Sequence, residues 1–149
     1  MLKFIKNYSL PNWLIITLVL MFILRIPSFF EPFAYGDELI YLNLGLAIRR
    51  GLVLYKDIYD NKPPLLYFTA ALAGNIFWFK TILAFWSTFT IIIFWELAKV
   101  LFKNKISAIQ ISVIIFALLT TLPLFEGNIA NAENFILGFS LLAFLILKI

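Results

Sequence analysis

Two short stretches carry residues able to do chemistry together. Tyr35-Gly36-Asp37-Glu38 sets two carboxylates side by side, and Lys62-Pro63-Pro64 holds one ammonium on a backbone that the prolines stiffen. A carboxylate serves as a general base when partial burial raises its proton affinity, and an ammonium can neutralise a departing phosphate. Each stretch also has a plainer reading. Asp37, following Gly36, can N-cap a helix, with Glu38 beside the positive end of the helix dipole. Lys62 can snorkel from a helix start, or pair with Asp57 or Asp60 of the same loop. A helix N-terminus favours anions, so a cation there calls for a negative partner, and a bound phosphate would supply one equally well. Glu133 suits the start of the helix it opens, and Arg49 with Arg50 suits the end of theirs. Glu96 and Lys99, three residues apart, read as a structural pair.

The chain has no Cys and no His. Disulfides, thiolate chemistry, the commonest metal ligand and the usual neutral-pH acid–base group are therefore excluded. The net charge of +4 comes mostly from cations flanking apolar runs, so nucleic acid is not an expected partner.

The elements that must position these groups are apolar. The 149 residues are 63% hydrophobic and 13% charged, with a mean hydropathy of +0.98. Soluble domains carry roughly twice that share of charge, and a bilayer span needs about 20 mostly apolar residues. The expected fold is an all-α membrane protein with about four transmembrane helices, near 12–30, 81–98, 106–125 and 133–149. The last is incomplete or just completing, and the chain looks cut off there. Lys3 and Lys6 precede the first run, which leaves through Arg25-Ile26-Pro27 without a small-residue cleavage site. It reads as an uncleaved span with its N-terminus in the cytoplasm of a plasma (inner) membrane protein.

Between the first two spans lies an outer loop, 31–80, with two short helices expected at the interface. The first runs from Asp37 to Arg50, ended by Gly51; the second opens at Pro64 and covers Leu65 to Phe79. Tyr55 to Asn61 has no periodicity and reads as loop. Lys99, Lys103 and Lys105 belong on the cytoplasmic side, which favours a non-crossing Leu65–Phe79 helix. Phe77-Trp78-Phe79 and Phe94-Trp95 read as interface belts.

The order of these motifs resembles the first outer loop of polytopic glycosyltransferases that use lipid-phosphate sugars, the GT-C superfamily. The resemblance rests on Tyr35-Gly36-Asp37-Glu38, Gly51, and Tyr55-Lys56-Asp57-Ile58-Tyr59-Asp60-Asn61-Lys62-Pro63-Pro64-Leu65. It is nearest to the bacterial branch similar to protein mannosyltransferases and the lipid A aminoarabinose transferase. Arg25-Ile26-Pro27 and Asn128-Ile129-Ala130-Asn131-Ala132-Glu133 are similar to that branch too. Those enzymes are several times longer, so the resemblance implies an N-terminal transmembrane portion, 1–149, inactive alone. It implies transfer of a sugar from a polyprenyl phosphate to an acceptor hydroxyl on the outer membrane face, with inversion. Asp37 would be the base, supported by Glu38; Lys62 would neutralise the donor phosphate. Tyr55, Arg49 and Glu133 would join the substrate contacts, and the second interfacial helix with its neighbours would hold the prenyl chain. Some relatives carry an acidic metal ligand just before Lys-Pro-Pro; here Asn61 stands there, which disfavours a divalent cation. Where relatives have Arg at the next span and before the Glu of the fourth, this chain has Lys80 and Asn131. The competing expectation is a small non-enzymatic membrane subunit or lipid-binding partner, using the same groups for lipid headgroups.

Overall fold

A computed structural model describes residues 9–31 and 35–148. All regular structure among them is helical: α1 (Asn12–Arg25), α2 (Gly36–Arg49), α3 (Pro64–Ala73), α4 (Ile76–Leu101), α5 (Ile106–Leu119) and α6 (Ala132–Lys148). Short 3-10 turns follow α1 at Ile26–Phe30 and α5 at Pro123–Phe125. Proline in an α-helix loses a hydrogen bond and crowds the carbonyl four residues back, so Pro27 tightens the continuation of α1 instead of extending it.

Local signals set most helix ends. At the end of α2, Gly51 takes φ +92°, its N–H donates to the Ile48 carbonyl and the Leu52 N–H to that of Ala47. This is the Schellman closure that a glycine just past a helix permits. Pro64 opens α3, where a missing N–H costs nothing. The Leu65–Phe79 expectation requires correction. Gly74 turns left-handed at φ +71°, and the Asn75 side chain caps a new helix by accepting from the Trp78 N–H at 3.0 Å. The break therefore falls six residues before the expected one, and Lys80 lies inside α4. Asp37 is not the N-cap either. Tyr35 holds that position, and Asp37 lies in the first turn.

Two pairs of helices run parallel. Along α2 and α3, Tyr41 meets Tyr67, Gly45 meets Ala70 and Ala71, and Arg49 meets Gly74. Along α4 and α6, Phe79 stacks on Phe135 with centroids 5.8 Å apart, and Trp86 packs on Phe139 at 4.6 Å. By contrast, α1 and α5 run against α4, through Phe22–Phe85 and Phe94–Phe116 respectively. Consequently the end of α1, the starts of α4 and α6, and the end of α5 share one pole of the bundle. Lys99, Lys103 and Lys105 lie at the other pole.

The α1 stretch Asn12–Phe30 (19 residues) and α4 (26 residues) are long and apolar enough to cross a bilayer. Glu96 and Lys99 pair at 2.8 Å, as their spacing predicts.

At Gly45, α2 packs directly on the α3 backbone. A Cβ there would sit 2.5 Å from the Ala71 amide nitrogen and 2.7 Å from the Ala70 carbonyl carbon. Alanine favours helix by less than 1 kcal/mol over glycine, whereas forcing backbone apart costs about 1–3 kcal/mol. Gly45→Ala should therefore lower the thermal unfolding midpoint in detergent. Gly36→Ala, with no described atom within 4 Å of its new methyl, should leave it unchanged or slightly raised.

Candidate functional site

The polar pole contains a buried layer and an exposed layer. In the buried one, α2 points Glu38 inward, and the side chain is 2% exposed. Its Oε1 accepts from the Ala130 N–H at 2.6 Å, and its Oε2 lies 3.4 Å from Lys80 Nζ. Lys80, equally buried, also reaches Glu31 Oε2 at 2.9 Å. Asn128 Nδ2 donates to the same Glu31 oxygen at 3.2 Å. Burial pushes the Glu38 carboxyl above the ordinary glutamate range, opposed by the Ala130 N–H and by Lys80. Nearby, buried Arg25 donates to the Thr120 carbonyl and so satisfies the end of α5.

In the exposed layer, Asp37 is half-buried at the start of α2, and its Oδ2 accepts from the Tyr41 hydroxyl at 3.2 Å. Burial, then the Asp37 charge, raises the Tyr41 pKa, so the phenol stays a donor. The Lys62 peptide is fixed from both sides. The Tyr55 hydroxyl donates to its carbonyl at 2.6 Å, and its N–H donates to the Tyr67 hydroxyl at 3.1 Å. Lys62 Nζ lies 3.0 Å from Glu133 Oε1, with the two side chains 30% and 67% exposed. Glu133 is the main cause holding the Lys62 ammonium above its usual pKa, and Asp37 and Asp60 add to the effect. An ion pair so open to water is worth little and exchanges readily.

Asp57 and Asp60, which the sequence offers as alternative partners of Lys62, make no ion pair with it. Asp57 accepts from the Val53 N–H at 2.8 Å and Asp60 from the Asn61 N–H at 2.7 Å. The starts of the parallel α2 and α3 bring Asp37 and Lys62 to one pole, where the 50–63 loop adds Tyr55 and the start of α6 adds Glu133. Two other expected site residues stand apart. Successive helical residues point about 100° apart, so Glu38 turns into the buried layer while Asp37 does not. Arg49 lies at the far end of α2, against Gly74 and about 18 Å along the axis from Asp37.

Sequence reasoning missed Lys80 as the partner of Glu31 and Glu38. Its signal was present: an ionisable residue inside an apolar helix requires a counter-charge. Tyr41 and Tyr67 carried no such signal.

An apolar groove of about 220 Å³ runs between α3, α4 and α6. Leu66, Thr69, Ile82, Trp86, Phe135 and Phe139 line it, as do Pro63 and Ala132, the chain neighbours of Lys62 and Glu133. Among the described residues no group of three or more His, Cys, Asp or Glu is placed to hold a metal ion. No family model, curated protein or solved structure matches the chain.

Removing one partner of a buried ion pair costs about 3–5 kcal/mol, because the other charge remains in a poor solvent. Lys80→Met should destabilise the fold by about that amount in chemical or thermal unfolding. Adding Glu38→Gln, which keeps an acceptor for the Ala130 N–H, should restore at least about 1 kcal/mol.

Proposed function

We propose that the chain carries the donor-phosphate end of an inverting glycosyltransferase site that uses a polyprenyl-phosphate sugar. One observation carries this reading: a half-buried carboxylate, Asp37, and an ammonium, Lys62, start parallel helices at one pole, beside an apolar groove. Lys62 directly precedes Pro63, which lines the groove, so a lipid phosphate held by Lys62 would have its prenyl chain along α3, α4 and α6.

The chemistry needs few groups. Asp37 takes the proton of an acceptor hydroxyl as that oxygen attacks the anomeric carbon. The bond from that carbon to the phosphate oxygen breaks, and the electron pair leaves on the polyprenyl phosphate. Lys62 stabilises the departing charge, which makes a general acid unnecessary. Tyr41 orients the base through its hydrogen bond. Glu133 holds Lys62 until the phosphate replaces it. Glu38 supports Asp37 indirectly, by anchoring the first turn of α2 to Ala130 and Lys80.

In this reading the protein is a multi-pass membrane protein with a cytoplasmic N-terminus. The Asn12–Phe30 stretch, α4, α5 and α6 cross the bilayer. Helices α2 and α3 lie at the outer interface, and the lysines after α4 face the cytoplasm. The 3-10 turn at Pro123–Phe125 brings the α5 segment close to span length. The sugar donor is a polyprenyl-phosphate glycose.

The same groove also suits a non-catalytic lipid-binding subunit. That role would give binding of polyprenyl phosphate without sugar transfer. In membranes containing the full-length enzyme and supplied with a radiolabelled polyprenyl-phosphate hexose, Asp37→Asn and Lys62→Ala should each cut transfer by a factor on the order of 10² or more, at unchanged expression. Near wild-type turnover in either variant would refute the assigned roles. Retained lipid binding with no transfer by the full-length wild type would establish the subunit reading.

A further inference from the structure

The pole opposite Asp37 and Lys62 holds a second, open hollow of about 340 Å³, where α1 begins, α4 ends and α5 begins. Its lining includes Trp13, Trp95, Lys99, Asn104, Ile106 and Ile109. Lys99 is fixed twice, by Glu96 at 2.8 Å and by the Trp95 ring, whose centroid is 4.0 Å from Nζ. Lys103 and Lys105 lie exposed in the adjoining turn and make no ion pair among the described residues. Among the described residues, three ammonium groups against the Glu96 carboxylate leave a surplus of two positive charges at this corner. The first turn of α5 has no acidic residue to offset it.

We propose that this hollow binds the headgroup of an anionic phospholipid. Its phosphate sits among Lys99, Lys103 and Lys105, and its acyl chains lie along α1 and α5. Charge complementarity selects an anion, and the surroundings select a lipid over a free ion. Two indoles wall the hollow, as they do where a protein meets lipid headgroups. The helices leading away from it expose apolar side chains, including Ile16 and Leu20 on α1 and Ile111 and Ile115 on α5. A soluble phosphate has no use for such a surface, whereas a lipid covers it. Clusters of lysine next to a span attract anionic lipids for the same electrostatic reason. The inference rests on the bilayer-crossing reading of α1 and α4, and is independent of sugar transfer.

Native mass spectrometry of the full chain in detergent tests it, with phosphatidylglycerol, phosphatidylcholine or inorganic phosphate added. The wild type should retain phosphatidylglycerol over phosphatidylcholine by roughly tenfold, and equimolar inorganic phosphate should not displace the lipid. The Lys103→Gln/Lys105→Gln variant, altered at exposed positions, should bring the two lipids to near parity, while Lys62→Ala should keep the preference. Equal retention by the wild type, an undiminished preference in the double lysine variant, or displacement by inorganic phosphate would overturn the proposal. So would loss of the preference in Lys62→Ala, which would place the lipid at the other pole. Failure of the bilayer reading is separately visible, as release of the protein from membranes by an alkaline carbonate wash.

Discussion

A carboxylate and an ammonium buried together bind the polar pole into one piece. Glu38 and Lys80 are each 2% exposed, so neither can be left alone: an unpaired charge there would lack both water and a partner. Their contact ties α2 to α4, the Glu38–Ala130 hydrogen bond ties both to the segment before α6, and Glu31 with Asn128 closes the set. Four chain segments are thereby held at fixed distances by groups that tolerate little displacement. Apolar packing alone would allow more sliding, because dispersion contacts have no direction.

The contrast with Lys62 and Glu133 is instructive. That pair is similar in distance but open to water, so its strength is small and its partners are exchangeable. A buried, ion-paired layer thus lies beneath an exposed one whose ion pair is open to water. The lower layer fixes the backbone that carries Asp37 and Glu133. The upper layer leaves an ammonium available, while the Tyr55 and Tyr67 hydroxyls keep its peptide still.

The parallel pairing of α2 with α3 and of α4 with α6 sets the polarity of the whole molecule. Parallel neighbours need a connection that returns along the length of the helix. The 50–63 loop provides it for the first pair, and α5 for the second. Helix starts that share a pole also share the positive ends of their dipoles, which suits the acidic residues Asp37, Glu38 and Glu133 in their first turns. The surplus lysines gather at the opposite pole. Acidic helix starts with a groove at one end, and cations with indoles at the other, give the two ends different surface chemistries.

Much of this was legible in the residues alone. The apolar runs, the stop at Gly51, the start at Pro64 and the Glu96–Lys99 pair follow from interactions spanning no more than five residues, where backbone geometry and side-chain reach leave few choices. The break at Gly74 and Asn75 was as local, but the aromatic run that follows hid it beneath a continuous apolar pattern. Whether Asp37 or Glu38 would face inward, which acid would meet Lys62, and what would neutralise Lys80 were decided by tertiary structure. Those contacts join positions far apart in the chain, Lys62 to Glu133 and Lys80 to Glu31 and Glu38. A sequence specifies that a buried charge must find a partner; only the packing of whole helices specifies which one comes within reach.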